Sequence, residues 1–149
     1  MQPSAHRALR VIAVGHDTEP GSWQLFDAEV VNVPVGQHSK ADVARVVHRV
    51  SSIAGEGARP DVIHGLWANL TGLAAAMAAR RHRVPSVVSV CGGEFVAIPD
   101  IGYGGGLSRG SRWMARTTTR SASAIAPLGE VMLRVEAMSG VMLWMFTPR

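Results

Sequence analysis

The chain has 149 residues, of which 47% are hydrophobic and 17% charged, so it can bury one core and is neither disordered nor fibrous. Aromatic residues make up only 5% of the sequence, while alanine and valine are abundant, which favours an α/β domain over an all-β sandwich. We therefore expect a single domain over residues 1–149.

The net charge is +4, and Lys40 is the only lysine, so the basic character comes from arginine. Arginine is suited to phosphate and carboxylate groups, which leaves nucleic acid, an acidic membrane surface and phosphorylated small molecules as candidate partners. Cys91 is the only cysteine, so no intrachain disulfide is possible. No apolar run reaches the roughly 18 to 20 residues of a membrane span. These features predict a cytoplasmic protein, either soluble or peripheral at the inner face of the membrane.

Hydrophobic periodicity and turn residues predict an alternation of strands and helices along the chain. Predicted strands lie at residues 10–15, 29–35, 61–66, 86–90, 123–126 and 140–149. Predicted helices lie at residues 40–53, with Ser39 as a candidate N-cap, and at 70–83, 107–121 and 129–138. This order indicates a Rossmann-like three-layer domain with a mostly parallel sheet.

The segment after the 86–90 strand has the composition of a binding loop. Gly92 and Gly93 permit positive φ angles and close approach of a ligand, and they place Glu94 just beyond the carboxyl end of the strand. Asp100 and Tyr103 follow in a glycine-rich stretch that we interpret as a flexible lid, 102–106. The alternative is that the two glycines only form a tight turn.

A histidine at the end of the preceding strand adds a second group at the same edge. We expect His64 and Glu94 on one rim of the sheet, with Trp67 offering an apolar face to a sugar or another ring. The alternative is that His64 is a hydrogen-bonded core residue.

A basic stripe follows on the next predicted helix. Arg109, Arg112, Arg116 and Arg120 recur at helical spacing, with Trp113 beside them, so the stripe is a candidate surface for anionic phospholipids. A solvated arginine face is the alternative. The absence of interleaved aromatic residues and of a recognised motif argues against nucleic-acid binding. The sequence also contains no CxxC or HxxxH metal-ligand spacing and no GxxxxGK[ST] phosphate-binding loop, and the region of Ser121 and Ser123 has no GxSxG elbow.

The sequence from PDVIHGLWANLTGLAAAMAARRHRVPSVVSVCGGEFVAIPDIGYGG through SASAIAPLGEVMLRVEAM resembles the amino-terminal domain of family 4 glycosyltransferases. These are retaining, two-domain enzymes of the GT-B fold. The resemblance implies that this chain is the acceptor-side half and binds no cofactor itself, whereas a carboxyl-terminal domain holds most of the nucleotide-sugar donor. Possible partners are therefore a small-molecule, glycan or lipid acceptor and a chain that carries the donor domain. The candidate acceptor or sugar-binding residues are His64, Trp67, Cys91, Gly92, Gly93, Glu94, Asp100 and Tyr103. Among these, His64, Gly92, Gly93 and Glu94 match positions of the family pattern.

The chain departs from the family pattern at two positions. Many members have a histidine where this chain has Cys91, and a second histidine where it has Leu66. A subgroup with a GGE-x-V-x-x-PDIGYG pattern is similar to this chain and lacks the first of these histidines. The resemblance also implies truncation at both ends, with the donor domain absent. We expect an acceptor-binding half that is inactive without a donor domain, or alternatively a non-catalytic binding module or gene remnant.

Overall fold

A computed structural model describes residues 8–15, 28–34, 40–56 and 59–127. Five strands alternate with three α-helices, and two short 3-10 turns, Pro99–Ile101 and Gly105–Leu107, lie between the fourth strand and the third helix. The elements in chain order are β1 (Leu9–Gly15), β2 (Ala28–Pro34), α1 (Lys40–Gly55), β3 (Val62–Leu66), α2 (Leu70–His82), β4 (Ser86–Val90), α3 (Arg109–Ser121) and β5 (Ala124–Pro127).

The five strands form one sheet in the order β2-β1-β3-β4-β5, and every neighbouring pair is parallel. The chain steps outward from β1 to β2 and then crosses to the other side of β1 to continue with β3. Ligands of open α/β sheets bind outside the carboxyl ends of the strands. The predicted α/β, Rossmann-like fold with a parallel sheet is thus confirmed.

The three described helices pack on one face of the sheet. Ile12 and Ile63 are register partners in a buried cluster with α1 and α2, and Val88 belongs to a second cluster with α3. Gly65 and Val88 both lie against Gly72 of α2, which places the two clusters on the same side. The helix predicted at 129–138 and the strand predicted at 140–149 lie outside the described residues, as does Ser39.

Two glycines set the distance between α2 and the sheet. A Cβ added to Gly65 would lie 2.7 Å from the Cα of Gly72, and a Cβ added to Gly72 would lie 2.3 Å from the carbonyl oxygen of Trp67. Real side-chain atoms do not fit at such distances, so helix and strand meet backbone to backbone. This contact fixes the amino terminus of α2 next to the carboxyl end of β3.

The described helix and strand boundaries follow the sequence prediction with small shifts. Helix α2 ends at His82 because Arg83 adopts a left-handed conformation with φ 55°, a common way to terminate a helix. Helix α3 begins at Arg109 rather than at Leu107, since residues 105–107 form a 3-10 turn. In the part of the chain that the structure describes, no helix has the length and apolar character to span a bilayer.

Candidate functional site

A cavity of about 530 Å³ lies beyond the carboxyl ends of β3 and β4. Four segments meet there: the β3–α2 connection, the turn after β4, the glycine-rich segment and the first turn of α3. The lining residues are Ala68, Asn69, Leu70, Gly93, Glu94, Gly105, Ser108, Gly110, Ser111 and Met114. The predicted rim thus exists, and Gly93 and Glu94 are the predicted site residues that line its cavity.

The β3–α2 connection is held by its own hydrogen bonds. The Asn69 side chain caps α2 by accepting from the Thr71 amide at 2.9 Å and from the Thr71 hydroxyl at 2.6 Å. The Thr118 hydroxyl of α3 donates to the Asn69 carbonyl at 3.2 Å. Trp67, just before the cap, has φ 65°, which is uncommon for a bulky residue. The start of α2 therefore has a fixed position at the cavity.

Glu94 connects the two strand ends. Beyond β4 the chain turns at Gly92, which has φ 100°, and the Gly92 carbonyl accepts from the Phe95 amide at 3.1 Å. Glu94 Oε1 accepts from the Ala68 amide at 3.0 Å and, more weakly, from the Cys91 amide at 3.5 Å. Its other oxygen, Oε2, is buried without a hydrogen-bond partner among the described residues. One oxygen thus holds the loop, and the second is a buried acceptor whose hydrogen-bonding capacity is unused among the described residues.

The glycine-rich segment is bonded to the turn after β4. The Gly105 amide donates to the Gly93 carbonyl at 2.7 Å, and the Gly106 amide donates to the Val96 carbonyl at 2.9 Å. Gly104 has φ 111°, and a Cβ there would lie 2.0 Å from the Val96 oxygen. The segment that we interpreted as a flexible lid instead forms part of the cavity wall, because these long-range bonds tie it down.

The first turn of α3 closes the cavity and was missed by sequence reasoning. Ser108 is the N-cap, and its hydroxyl accepts from the Ser111 amide at 3.4 Å. Helical spacing carries Met114 to the same side. The amino termini of α2 and α3 therefore both lie at the cavity, where helix dipoles favour negative charge. The Ser-x-x-Ser spacing after the glycines is the only sequence signal for this placement.

Cys91 lies beside the cavity and is exposed. Partial burial of the sulfur raises the pKa of the thiol, and the neighbouring Glu94 carboxylate raises it further. A hydrogen bond from the Trp67 side chain offsets part of that rise. Both Cys91 and Trp67 are thus close to Glu94, although neither lines the cavity. A raised pKa makes the thiol a poor nucleophile near neutral pH.

His64 does not occupy the rim that the sequence predicts. It lies within β3, two residues before the strand ends, and its Nε2 shares a hydrogen bond of 2.8 Å with Ser89 Oγ on β4. Burial lowers the pKa of His64, which favours the neutral imidazole. The hydrogen bond to Ser89 agrees with the alternative interpretation, in which His64 is a hydrogen-bonded core residue. The predicted strand, 61–66, already extended past this histidine, but the sequence could not show that its side chain bonds across to Ser89.

Tyr103 and Asp100 occupy different positions in the loop. A Cβ on Gly93 would lie 3.0 Å from the Tyr103 hydroxyl, so the ring reaches the cavity edge, and a bridge to Ile98 holds its backbone. Asp100 is exposed in the 3-10 turn and does not line the cavity. The structure therefore brings Tyr103 to the edge of the site and leaves Asp100 outside it.

The predicted arginines lie on the outer side of α3. Arg109, Arg112, Arg116 and Arg120 are exposed and line a separate groove with Trp113.

Within the described ranges, no three His, Cys, Asp or Glu side chains form a candidate metal site. The cavity therefore offers hydrogen-bond acceptors and helix amino termini, which are suited to orienting a polar ligand.

The comparisons with known proteins agree with this architecture. A family model described as the glycosyl transferase 4-like domain matches residues 3–137. UDP-GlcNAc 2-epimerase from Methanocaldococcus jannaschii is similar in structure, with a TM-score of 0.61 and 12% identity over 91% of this chain and 43% of that chain. S. aureus MnaA, solved with UDP, has a TM-score of 0.55 and 11% identity over 80% of this chain and 37% of its own. At such identities the likeness shows the fold alone, and the chain spans less than half the length of either protein. A search of curated proteins gave no significant match.

Proposed function

The chain belongs to the glycosyl transferase 4-like family, and from this premise we propose that it is the acceptor-binding half of a retaining glycosyltransferase. In this proposal a sugar moves from a nucleotide-sugar donor to an acceptor held in the cavity at the ends of β3 and β4. The partner is a carboxyl-terminal donor domain, without which the chain is inactive. The structural similarity to a protein solved with UDP supports a nucleotide sugar as the donor class.

One observation carries the proposal: Glu94 lines the cavity and has a buried carboxylate oxygen without a partner among the described residues. Its Oε1 is used by the Ala68 amide, and Oε2 has no partner among the described residues. A carboxylate oxygen held in this way accepts hydrogen bonds from hydroxyl groups, which are the groups an acceptor sugar or polyol presents. Tyr103 at the cavity edge adds an aromatic ring and a hydroxyl. We assign Glu94 to acceptor orientation.

The chemistry of transfer would take place between the two halves. An oxocarbenium-like transition state requires fixed dipoles near the sugar and stabilisation of the departing diphosphate. In this proposal the donor domain holds the diphosphate, and this chain supplies the oriented acceptor hydroxyl. His64 is not a transfer residue in this scheme, because its imidazole is bonded to Ser89 inside the sheet.

The test measures acceptor binding and turnover separately. A panel of sugar and polyol acceptors is titrated calorimetrically against the chain, and nucleotide-sugar turnover is assayed with and without a supplied donor domain. We expect an acceptor that binds the chain, and Glu94→Gln should weaken this binding about tenfold, the loss of one charge-assisted hydrogen bond. Asp100→Asn removes the same charge outside the cavity and is the matched control.

The outcomes separate the parts of the proposal. Equal weakening by Glu94→Gln and Asp100→Asn would exclude a role for the cavity carboxylate. Robust turnover by the chain alone would contradict the half-enzyme assignment.

A non-catalytic binding module is the second candidate. It is favoured by Cys91, which occupies the position where many family members have a histidine, and whose raised pKa disfavours the reactive thiolate. A chain that binds acceptor but supports no turnover with any supplied donor domain would establish this candidate instead.

A further inference from the structure

The outer side of α3 and much of the loop before it are exposed, and the arginine groove on α3 shares no lining residue with the cavity. We define the basic face as Arg109, Arg112, Arg116 and Arg120, all of which are exposed. The first turn of α3 packs on the 105–107 turn, and the Ile98–Tyr103 bridge ties together the loop ahead of it. The basic face therefore has a fixed relationship to the residues of this loop.

Large exposed apolar side chains recur in residues 98–113, a segment that contains the loop before α3 and the first part of the basic face. Trp113 is 62% exposed within the basic face, and Ile101 is 72% exposed at the loop tip. We define the apolar set as Ile98, Ile101, Tyr103, Leu107 and Trp113, each of which is at least 40% exposed. Soluble proteins rarely place several such residues together without a binding role.

The charge on this surface has one sign. Between residues 97 and 121 the sequence contains a single acid, Asp100, which lies in the loop rather than on α3. Arg109, Arg112, Trp113 and Arg116 line a groove of about 430 Å³ together with Thr117 and Arg120. Guanidinium groups arranged in this way are suited to phosphate oxygens. The surface thus combines phosphate recognition with exposed aliphatic and aromatic groups.

We propose that this surface docks on a bilayer that contains anionic phospholipids. The arginines contact headgroup phosphates, while Trp113, Leu107 and Ile101 enter the interface between headgroups and acyl chains. A membrane explains both the basic face and the apolar set, whereas nucleic acid would satisfy the arginines and leave the exposed isoleucine and leucine side chains in water. The inference does not depend on the proposed transfer reaction.

The first experiment is flotation of the full chain with vesicles of phosphatidylcholine alone or of phosphatidylcholine mixed with phosphatidylserine. We expect flotation only with the mixed vesicles, and less of it as salt is raised above about 0.15 M, because screening weakens surface charge interactions. The double variant R112E/R116E should lower the partition coefficient by at least about 25-fold, because each arginine removed from an anionic surface lowers it about fivefold.

The matched control is R45E/R49E on α1, two exposed arginines with the same four-residue spacing and the same change in net charge. Partition of this variant should remain within about threefold of the unaltered chain, because α1 is outside the proposed surface. Equal losses in the two variants would show that net charge alone drives binding and would overturn the proposal. Equal flotation on uncharged vesicles would overturn it as well.

A second measurement does not require charge reversal and identifies the residue that enters the bilayer. Tryptophan fluorescence is quenched when the indole reaches brominated acyl chains, and we expect Trp113→Phe to remove most of the quenching while the chain still floats. Quenching that is unchanged in this variant would place a different surface on the membrane. Binding to an oligonucleotide that R112E/R116E abolishes, with no flotation of the unaltered chain, would assign the surface to nucleic acid and overturn the proposal.

Discussion

The Glu94 carboxylate accepts a hydrogen bond from the Ala68 amide at 3.0 Å, so a single side chain joins the segments that follow two adjacent strands. The same residue lines the cavity, and its second carboxylate oxygen is buried without a partner among the described residues. If Glu94 also orients the acceptor as proposed, substitutions there will affect both stability and affinity.

Replacing Glu94 by alanine should lower the free energy of unfolding by about 1.5 to 3 kcal/mol, since the Ala68 amide loses a charged acceptor. Glu94→Gln should cost less, because an amide oxygen can still accept that bond. Urea unfolding monitored by circular dichroism measures both changes. Asp100→Ala, at an exposed position, should change the free energy of unfolding by no more than about 0.5 kcal/mol. A loss as large as that of Glu94→Ala would contradict the role given to Glu94.

Gly72→Ala should destabilise the chain by about 1 to 3 kcal/mol, although alanine is the better helix former. The added Cβ would lie 2.3 Å from the Trp67 carbonyl oxygen and 2.8 Å from a Thr118 methyl carbon. Gly55→Ala, at the last residue of α1, has no heavy atom within 4 Å and should be neutral or stabilising by up to about 1 kcal/mol. Thermal and urea unfolding of both variants test the difference, and a stabilised Gly72→Ala would refute the backbone contact.

His64 should make the stability of the chain sensitive to acid. Burial lowers the pKa of the folded-state imidazole, so the unfolded chain takes up a proton at this residue first. The free energy of unfolding should fall as the pH drops below about 6.5, by at most about 1.4 kcal/mol per pH unit, and should level off below the folded-state pKa. His64→Gln should reduce this slope. An unchanged slope in unfolding experiments across the acidic range would show that other groups cause the dependence.

Cys91 is the only thiol, so its alkylation reports on one site. The raised pKa predicts slow reaction with iodoacetamide at neutral pH and a rate that increases well into the alkaline range. Removing the carboxylate with Glu94→Gln should move the midpoint of the pH profile down, whereas Trp67→Phe should move it up because the hydrogen bond is lost. Shifts in the same direction for both variants would disprove these assignments.

Much of the fold was predictable because it rests on local signals. The β-branched run at Val87 and Val88 identified β4, and the spacing of Val46 and Val50 identified α1, whose buried side is the one the pattern predicts. The glycine turn also placed Glu94 beyond the end of β4. Such features depend on side-chain periodicity and backbone freedom within a few residues.

The cavity itself was less predictable because long-range contacts build it. The bond from Gly105 to Gly93 joins residues that only the folded loop brings together, and the Thr118 contact with Asn69 connects α3 to the start of α2. The sequence also could not separate a rim histidine from one that bonds to the neighbouring strand, since the contact of His64 with Ser89 joins residues 25 positions apart.

The backbone contact between Gly65 and Gly72 has a consequence for ligand binding. Because α2 and β3 meet backbone to backbone at Gly65 and Gly72, and because Asn69 and Glu94 are already bonded to neighbouring segments, the cavity wall is preorganised. A ligand that enters it would have little chain to order, and rigid sites lose little conformational entropy on binding. Affinity in such a cavity would then depend mainly on how well the hydroxyl pattern of the ligand matches the positions of fixed acceptors.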